Sequence, residues 1–288
     1  MLKFWLTNIL LVSVIASVKA DNWMRDSQPS ILEVYYIRTE VIDTTQSDKN
    51  FFKEQTMLRI GESMSWYCSV PRFNRDSLMF NNPDLYWQLE AALFDKNPKE
   101  RDMALLERSG RYSSFIFKNY PVGKVTETDR FNMDVWVYEE DWEKPEWEFI
   151  DESKVIMGYQ CFKAVSDYRG RRWTAWFTPE IPVQEGPWKL CDLPGLILEA
   201  EDNHKEYHFI VNGLKQQGIA EVGYLCYREK RGIRKVSRDK FFNNWWRYAN
   251  SNFGARMAAL YGKGSRPGEI ERKTQHRDRE ETNYPHEL

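Results

Sequence analysis

Short stretches in which apolar and polar residues alternate dominate this chain, and they predict β-strands. Ile31–Ile42 is rich in β-branched and aromatic residues, and Phe51–Ile60 and Ser63–Val70 repeat the pattern on either side of a turn at Gly61. Further strands are predicted at Tyr112–Asn119, Asp129–Glu139, Val155–Ala164, Trp173–Thr178, Leu196–Ala200, Tyr207–Val211, Val222–Lys230 and Ile233–Val236. Turn residues, rather than helices, join most of these stretches, so the sequence predicts an antiparallel sheet.

The pattern changes to a helical period in two places. Asn82-Pro83 and Asn97-Pro98 each combine an N-cap residue with a proline at the first helical position, so residues 75–108 are predicted as a helical insert. Ser237 precedes a second helical stretch, which runs towards Ala249 and carries aromatic residues on all sides. The predicted fold is α+β and mainly antiparallel β. We expect a strongly curved sheet or partly closed barrel, with the insert and a C-terminal helix packed on it.

The two ends of the chain differ from the rest. Lys3 precedes an apolar run from Ile9 to Ile15 and a small-residue cleavage site at Val18-Lys19-Ala20, a pattern typical of a signal peptide over residues 1–20. Residues 21–261 are predicted to form a single β-rich domain. Residues 262–288 mix charges of both signs with few apolar side chains, which predicts a disordered tail. The chain is therefore expected to be exported from the cytoplasm.

Composition limits the kinds of partner that the chain is expected to bind. The net charge of −2 gives no global field that would attract nucleic acid, and no second apolar run is long enough to span a membrane. Aromatic residues make up 15% of the chain. They favour strands, and they either fill a sheet core or line a groove for a ligand. An envelope protein or peptide is the expected kind of partner, and the oligomeric state stays open.

Four cysteines follow the predicted signal peptide, namely Cys68, Cys161, Cys191 and Cys226. An even number in an exported chain predicts two disulfides, and four cysteines allow three pairings. Zinc-ligand spacing is missing, because no two cysteines lie two to four residues apart.

Signatures of catalysis and of cofactor binding are missing as well. The sequence contains no G-x-S-x-G elbow, P-loop or dinucleotide fingerprint, so we expect no cofactor. His204 and His208 would lie about 13 Å apart if they shared one strand, which is too far for a common metal ion. A carboxylate or His-assisted site of a hydrolase stays open, because acidic residues are plentiful.

Three blocks resemble one family of exported bacterial proteins. These are Gly158-Tyr159-Gln160-Cys161, the run from Gly170 to Pro182, and Gly186-Pro187-Trp188-Lys189-Leu190-Cys191-Asp192-Leu193-Pro194-Gly195-Leu196-Ile197-Leu198. Together with Leu58-Arg59-Ile60-Gly61, they are similar to the GLPGLI family, which usually carries Gly where this chain has Asp192. The resemblance implies a periplasmic or outer-membrane-associated accessory protein, or a secreted one, without an established activity. It also favours a Cys161–Cys191 disulfide, which leaves Cys68 to pair with Cys226.

Residues 186–198, here called the plug loop, suit either of two roles. Leu193-Pro194-Gly195-Leu196 has the chemistry of a type II turn, and the apolar anchors around it include Trp188. The loop could close one end of the sheet or present Trp188, Leu193, Pro194, Gly195 and Leu196 to a partner.

A basic hairpin tip is the second candidate surface. Arg169, Arg171 and Arg172 lie next to Trp173 and Trp176, a combination suited to capturing an acidic or aromatic ligand. The competing interpretation, which we favour, is a solvated turn beside core tryptophans.

The function expected from these observations is non-catalytic. We predict an envelope protein that binds a partner or ligand and serves transport or surface assembly. The alternatives are a periplasmic hydrolase of peptide or glycan, and a structural protein whose insert and tail mediate assembly.

Overall fold

The computed structural model describes residues 24–42, 44, 51–131, 134–225, 232–250 and 279–283. The predicted signal peptide, Cys226 and most of residues 262–288 lie outside this part. Within it the strands are β1 (Arg25–Gln28), β2 (Ser30–Val41), β3 (Phe51–Gly61), β4 (Ser65–Ser69), β5 (Phe115–Lys118), β6 (Lys124–Phe131), β7 (Asp134–Asp141), β8 (Glu148–Ile156), β9 (Tyr159–Tyr168), β10 (Arg171–Thr178), β11 (Leu196–Asp202), β12 (Tyr207–Lys215), β13 (Val222–Tyr224) and β14 (Ile233–Lys235). The helices are α1 (Val70–Asn81), α2 (Pro83–Phe94), α3 (Pro98–Ser109) and α4 (Arg238–Asn250).

Twelve strands form one sheet, built from two sequential meanders. Strands β2 to β7 follow one another as antiparallel neighbours, and so do β8 to β12. The meanders join where β2 pairs with β12, with Ile37 opposite Ile210. Strand β14 adds to β7 in parallel, and β1 pairs with β13 in a separate two-stranded sheet.

The sheet curves so strongly that its two ends approach each other. Residues 142–147 connect β7 to β8, which lie near opposite ends of the strand order. Along this connection, the Tyr168 hydroxyl donates to the Glu143 carbonyl at 2.9 Å, and the Trp147 indole N–H donates to the Cys191 carbonyl at 2.8 Å. Among the described residues β8 pairs only with β9 and β14 only with β7, so the sheet is open between these two end strands. This architecture confirms the predicted α+β class with a strongly curved antiparallel sheet.

Apolar side chains cover both faces of the sheet. The largest cluster fills the concave face and includes Val34, Tyr36 and Trp173. A second cluster on the opposite face contains Trp66 and Phe115, and α1 packs there. The aromatic residues therefore serve mainly as core, the less specific of the two roles that composition suggested.

Both predicted helix starts in the insert are confirmed. The side-chain oxygen of Asn82 accepts the Leu85 N–H at 3.1 Å at the start of α2, and that of Asn97 accepts the Glu100 N–H at 3.0 Å at the start of α3. The C-terminal helix α4 is also present, with Phe241 buried against Tyr138 of β7 at a ring-centroid distance of 4.6 Å. No helix of the described residues is both long and apolar enough to cross a membrane.

Two predicted strands are in fact hairpins. The stretch Asp129–Glu139 contains the end of β6 and the start of β7, with Phe131 paired to Asp134. The stretch Val155–Ala164 bends at Met157-Gly158, where both residues have positive φ, 49° and 86°. A two-residue turn with two positive φ values matches the right-handed twist of the strands that it joins.

Candidate binding site in the concave face

The concave face changes from apolar to charged along its strands. On β2 the inward-facing series runs from Tyr36 to Arg38 and Glu40, and on β6 it runs from Val125 to Glu127 and Asp129. All of these side chains are buried. Buried charges are costly unless each has a partner, so a buried cluster of them marks a candidate functional site.

Residues 279–283, here called the C-terminal segment, lie among these charges. Arg279 is paired with Glu127, donates to Asp129 Oδ2 at 3.1 Å, and donates to the Ser114 hydroxyl at 2.7 Å. Glu280 turns to the other side and accepts two hydrogen bonds from Arg38, at 3.0 and 2.7 Å. The Arg38 guanidinium itself lies over the ring of Tyr112, 4.7 Å from its centroid.

Glu281 meets three cations. Its carboxylate accepts from Lys189 Nζ at 2.6 Å and from Arg238 at 2.6 Å, and Arg169 lies 3.7 Å away. Burial acts to raise the pKa of Glu281, but Lys189, Arg238 and Arg169 outweigh it and hold the pKa at about 2. The same pairing acts on Lys189: burial would lower its pKa, yet Glu281 and neighbouring acids raise it above the ordinary value. Both groups are therefore charged at neutral pH.

Main-chain groups of the C-terminal segment also form hydrogen bonds with the sheet. Arg171 donates two hydrogen bonds to the Arg279 carbonyl, at 3.2 and 2.9 Å. The Thr282 N–H donates to the Arg169 carbonyl at 2.9 Å, and its hydroxyl donates to the Gly170 carbonyl at 3.0 Å. A Cβ atom on Gly170 would collide with the Thr282 hydroxyl, so glycine is needed at this turn both for its φ of 82° and for the close approach.

These groups form a socket with three charge positions. An acidic position receives Arg279, Arg38 receives Glu280, and a basic position receives Glu281. Beside the segment only about 30 Å³ of cavity remains, room for one or two water molecules. The residues of this binding socket are Arg38, Ser114, Glu127, Asp129, Arg169, Arg171, Lys189 and Arg238.

The basic hairpin tip is not a solvated turn, contrary to the favoured interpretation of the sequence. Arg169 and Arg171 are buried, and Arg171 also donates to Asp202 at 2.8 Å and to Glu206 at 2.7 Å. Arg172 alone is exposed, and it pairs with Asp167 at 2.7 Å. The turn points its arginines inward because the carboxylates that neutralise them lie on β7, on β11 and in the C-terminal segment.

Five residues of the tail that was predicted to be disordered, 279–283, are described by the structure, and they pack against the sheet. Arg279, Glu280 and Glu281 are each less than 5% exposed. Low apolar content argued for disorder, but here ion pairs and hydrogen bonds, rather than apolar contacts, hold the segment in place.

The plug loop packs its apolar side chains into the core of the concave face. Trp188, Leu193 and Leu196 are buried, and the Trp188 ring lies 5.5 Å from that of Trp173 between centroids. Of the five loop residues considered for a partner, Pro194 is exposed, whereas Gly195 packs so tightly that a Cβ atom would collide with the Thr178 carbonyl. Lys189 belongs to this loop and forms part of the binding socket.

The turn within the plug loop differs from the type II turn expected. The Gly195 N–H donates to the Leu193 carbonyl at 2.7 Å, and the Leu196 N–H donates to the Ile181 carbonyl at 3.0 Å. Asp192 has a φ of 69°, a conformation that Asp tolerates better than most residues. Its carboxylate accepts from Lys144 at 2.7 Å at the surface.

The remaining candidates from the sequence are dispersed. Trp176 is half-buried, and Lys154 Nζ lies 4.2 Å from its ring centroid, away from the binding socket. Cys161 and Cys191 are buried free thiols, so the predicted Cys161–Cys191 disulfide is not formed. Cys161 lies on β9 and Cys191 in the plug loop, where its backbone bridges to Glu185. The Cys68–Cys226 pairing stays a prediction, because Cys226 lies outside the described residues.

His208 lies within hydrogen-bond distance of a carboxylate. His208 Nε2 lies 3.0 Å from Glu199 Oε1, and Lys154 shares that carboxylate at 2.5 Å. His204, in contrast, is exposed in the turn between β11 and β12. Among the described residues, no three His, Cys, Asp or Glu side chains are placed to hold a metal ion.

The chain is similar to solved structures and to one protein family over part of its length. Two solved structures resemble the chain, "Structure of PNGF-II in P21 space group" and "Structure of PNGF-II in C2 space group", each at 13% sequence identity with TM-scores of 0.46 and 0.48. They cover 74% and 77% of this chain, which in turn spans about a third of their length, 32% and 34%. No curated protein matches the sequence significantly. A family model described as "Protein of unknown function (Porph_ging)" matches residues 167–199, the stretch that contains the basic hairpin and the plug loop.

Proposed function

We propose that the protein is a non-catalytic binding protein of the bacterial cell envelope, whose binding socket receives an extended polypeptide segment. The signal-peptide pattern and the blocks similar to the GLPGLI family support the envelope location. The match to residues 167–199 covers two of those blocks. An accessory role in transport or surface assembly is consistent with both.

One observation carries this proposal. The segment Arg279-Glu280-Glu281 contacts the socket through a charge of opposite sign at every position, while Arg171 and Arg169 bind its backbone. This combination is how extended peptides are recognised: main-chain hydrogen bonds supply affinity, and side-chain sites supply specificity. The socket therefore selects a basic residue followed by two acidic residues.

The chain's own segment acts as the resident ligand. A tethered segment competes at an effective concentration in the millimolar range. A partner segment with the same order of charges must therefore displace it, and free peptide binds weakly until the resident segment is loosened.

The arrangement around His208 gives less support to a hydrolase. Glu199 is within hydrogen-bond reach of His208, as a catalytic pair requires, but it is also neutralised by Lys154. His208 is about one-third exposed and does not line the cavity beside the C-terminal segment. A polar surface cluster accounts for these contacts.

The test uses the full-length mature chain and a fluorescent peptide with the sequence of residues 277–285. We expect the peptide to bind the Glu281→Gln chain at least about tenfold more tightly than the wild-type chain, because the loosened resident segment competes less. Fluorescence anisotropy gives both affinities.

Two peptide variants supply the controls. Changing Glu281 to Gln, or Arg279 to Gln, within the peptide removes one charge match and should weaken binding to the same chain by at least about tenfold. If all three peptides bind the Glu281→Gln chain equally, or if none binds it, the socket is not a receptor for this segment.

A further inference from the structure

The outer edge of β8 carries a second surface with features of an interface. Among the described residues, β8 pairs only with β9, so one side of this nine-residue strand presents unpaired backbone groups. Phe149 and Val155 on β8 are 61% and 66% exposed, and Met157 just beyond it is 51% exposed. Long exposed edges with apolar side chains pair readily with another strand.

The apolar side chains are on one face. Phe149 and Phe162 both contact the ring of Phe177, at centroid distances of 5.9 and 6.2 Å. Ser153 is opposite Phe162 in the register of β8 and β9, and Val155, two residues on, shares its face. An added strand would therefore meet a free backbone edge and an apolar face together.

We propose that this edge pairs with the same edge of a second copy of the chain, antiparallel about a twofold axis at Ser153. In this register Glu152 of one copy faces Lys154 of the other, and Asp151 faces Val155. Each contact occurs twice, as a twofold axis requires. The register thus sets opposite charges against each other, next to the exposed apolar side chains of Phe149 and Val155.

Charge complementarity selects this register. A register centred on Asp151 or on Glu152 would place two like carboxylates opposite each other at the axis, which is unfavourable. In the Ser153 register, Glu152 and Lys154 extend the ion pairs that they already make with Lys163, at 2.9 Å, and with Glu199, at 2.5 Å. The twofold pairing unites two twelve-stranded sheets into one.

The irregular pairing of β8 with β9 between Ile150 and Ser153 limits the strength of this contact. Bulges twist an edge and weaken its pairing. Edge pairing also buries less surface than a stable dimer interface, so the dimer is expected to be weak and concentration-dependent.

Cysteine crosslinking tests the contact and its register. The Cα atoms of directly opposite residues lie about 4.5–5.5 Å apart, within the range for a disulfide. Under mild oxidation the full-length Ser153→Cys chain should give at least about tenfold more crosslinked dimer than Val122→Cys, whose cysteine replaces an 85% exposed side chain in the turn between β5 and β6, outside the proposed contact. Equal yields overturn the dimer, and efficient crosslinking of Val155→Cys in place of Ser153→Cys overturns the register.

Sedimentation supplies a test without added thiols. The wild-type sedimentation coefficient should rise with concentration, and Val155→Asp should abolish the rise, because the new carboxylate faces Asp151 of the other copy. Val122→Asp makes the same change at the exposed control position and should leave the rise intact. A concentration-independent wild-type monomer, or loss of association in both variants, overturns the proposal.

Discussion

Replacing Glu281 by Gln tests the central energetic claim about the binding socket. Gln keeps the shape of the side chain and part of its hydrogen bonding but removes the negative charge. Lys189, Arg169 and Arg238 then keep their other acidic partners, chiefly Glu140. Breaking a buried ion pair by removing one partner is strongly destabilising, because the remaining charge stays buried.

The expected loss follows from the pKa of Glu281. Its ordinary value of 4.5 falls to about 2 in the folded protein. At about 1.36 kcal/mol per pKa unit, ionised Glu281 stabilises the docked state by about 3 kcal/mol relative to its neutral form. Glu281→Gln should therefore destabilise the docked state of the segment by a similar amount at pH 7.

The pH dependence gives this prediction a specific sign. A carboxyl whose pKa is lowered on folding contributes stability above its unfolded pKa, and loses it as pH falls through the folded pKa. The difference between wild type and Glu281→Gln should therefore be complete at pH 7 and shrink as pH falls from about 4.5 towards 2. Hydrogen exchange of the 279–283 amides measures docking directly, and urea unfolding at pH 7, 4 and 3 reports the global effect.

Glu143→Gln is the matched control. Glu143 also faces Arg169, at 3.4 Å, but its side chain is 72% exposed, so its removal should cost less than about 0.5 kcal/mol. If Glu281→Gln costs no more than this control at pH 7, the Glu281 charge does not hold the segment in the socket. A large loss that does not diminish on acidification would refute the assignment to charge.

The remaining predictions concern turns and thiols. Gly170→Ala should cost about 1–3 kcal/mol more than Gly158→Ala and expose the C-terminal segment to proteases. Both turns have positive φ, but only at Gly170 would a Cβ atom collide with the segment. Equal losses of stability in urea unfolding would count against the close approach. Asp192→Gly should change stability by less than about 0.5 kcal/mol, since relief of the positive φ offsets a surface ion pair, whereas Asp192→Val should cost about 1–2 kcal/mol by the same assay. Burial raises the pKa of Cys161 to about 11 and that of Cys191 to about 12. Iodoacetamide at pH 8 should therefore modify both thiols only after unfolding, as detected by mass spectrometry. Rapid labelling of the native protein would contradict their burial.

Secondary structure could be predicted from the sequence where the stabilising hydrogen bonds join residues close together in the chain. Asn82 and Asn97 start helices because their side chains accept N–H groups three residues ahead, which a sequence shows directly. The missed hairpin at Met157-Gly158 left one such signal, a glycine inside a predicted strand, where positive φ is required.

The binding socket could not be predicted in the same way. Arg279 and its partner Asp129 are separated by 150 positions, and Arg38 and Glu280 by 242. A charged side chain whose partners are so distant looks in the sequence like any solvated residue. Only the fold shows that Arg171 and Glu281 face inward, and that ion pairs hold a segment with hardly any apolar side chains.

The join between β2 and β12 has a consequence for how the protein folds. Each meander consists of neighbours in sequence and can assemble soon after its residues are available. The join pairs Thr39 with His208, so it closes only after the intervening chain has been made and ordered. Contacts over such separations carry a large loop-closure cost and slow folding. The β2–β12 join is therefore expected to be the late, rate-limiting contact, and until it forms both meanders expose an additional strand edge to aggregation.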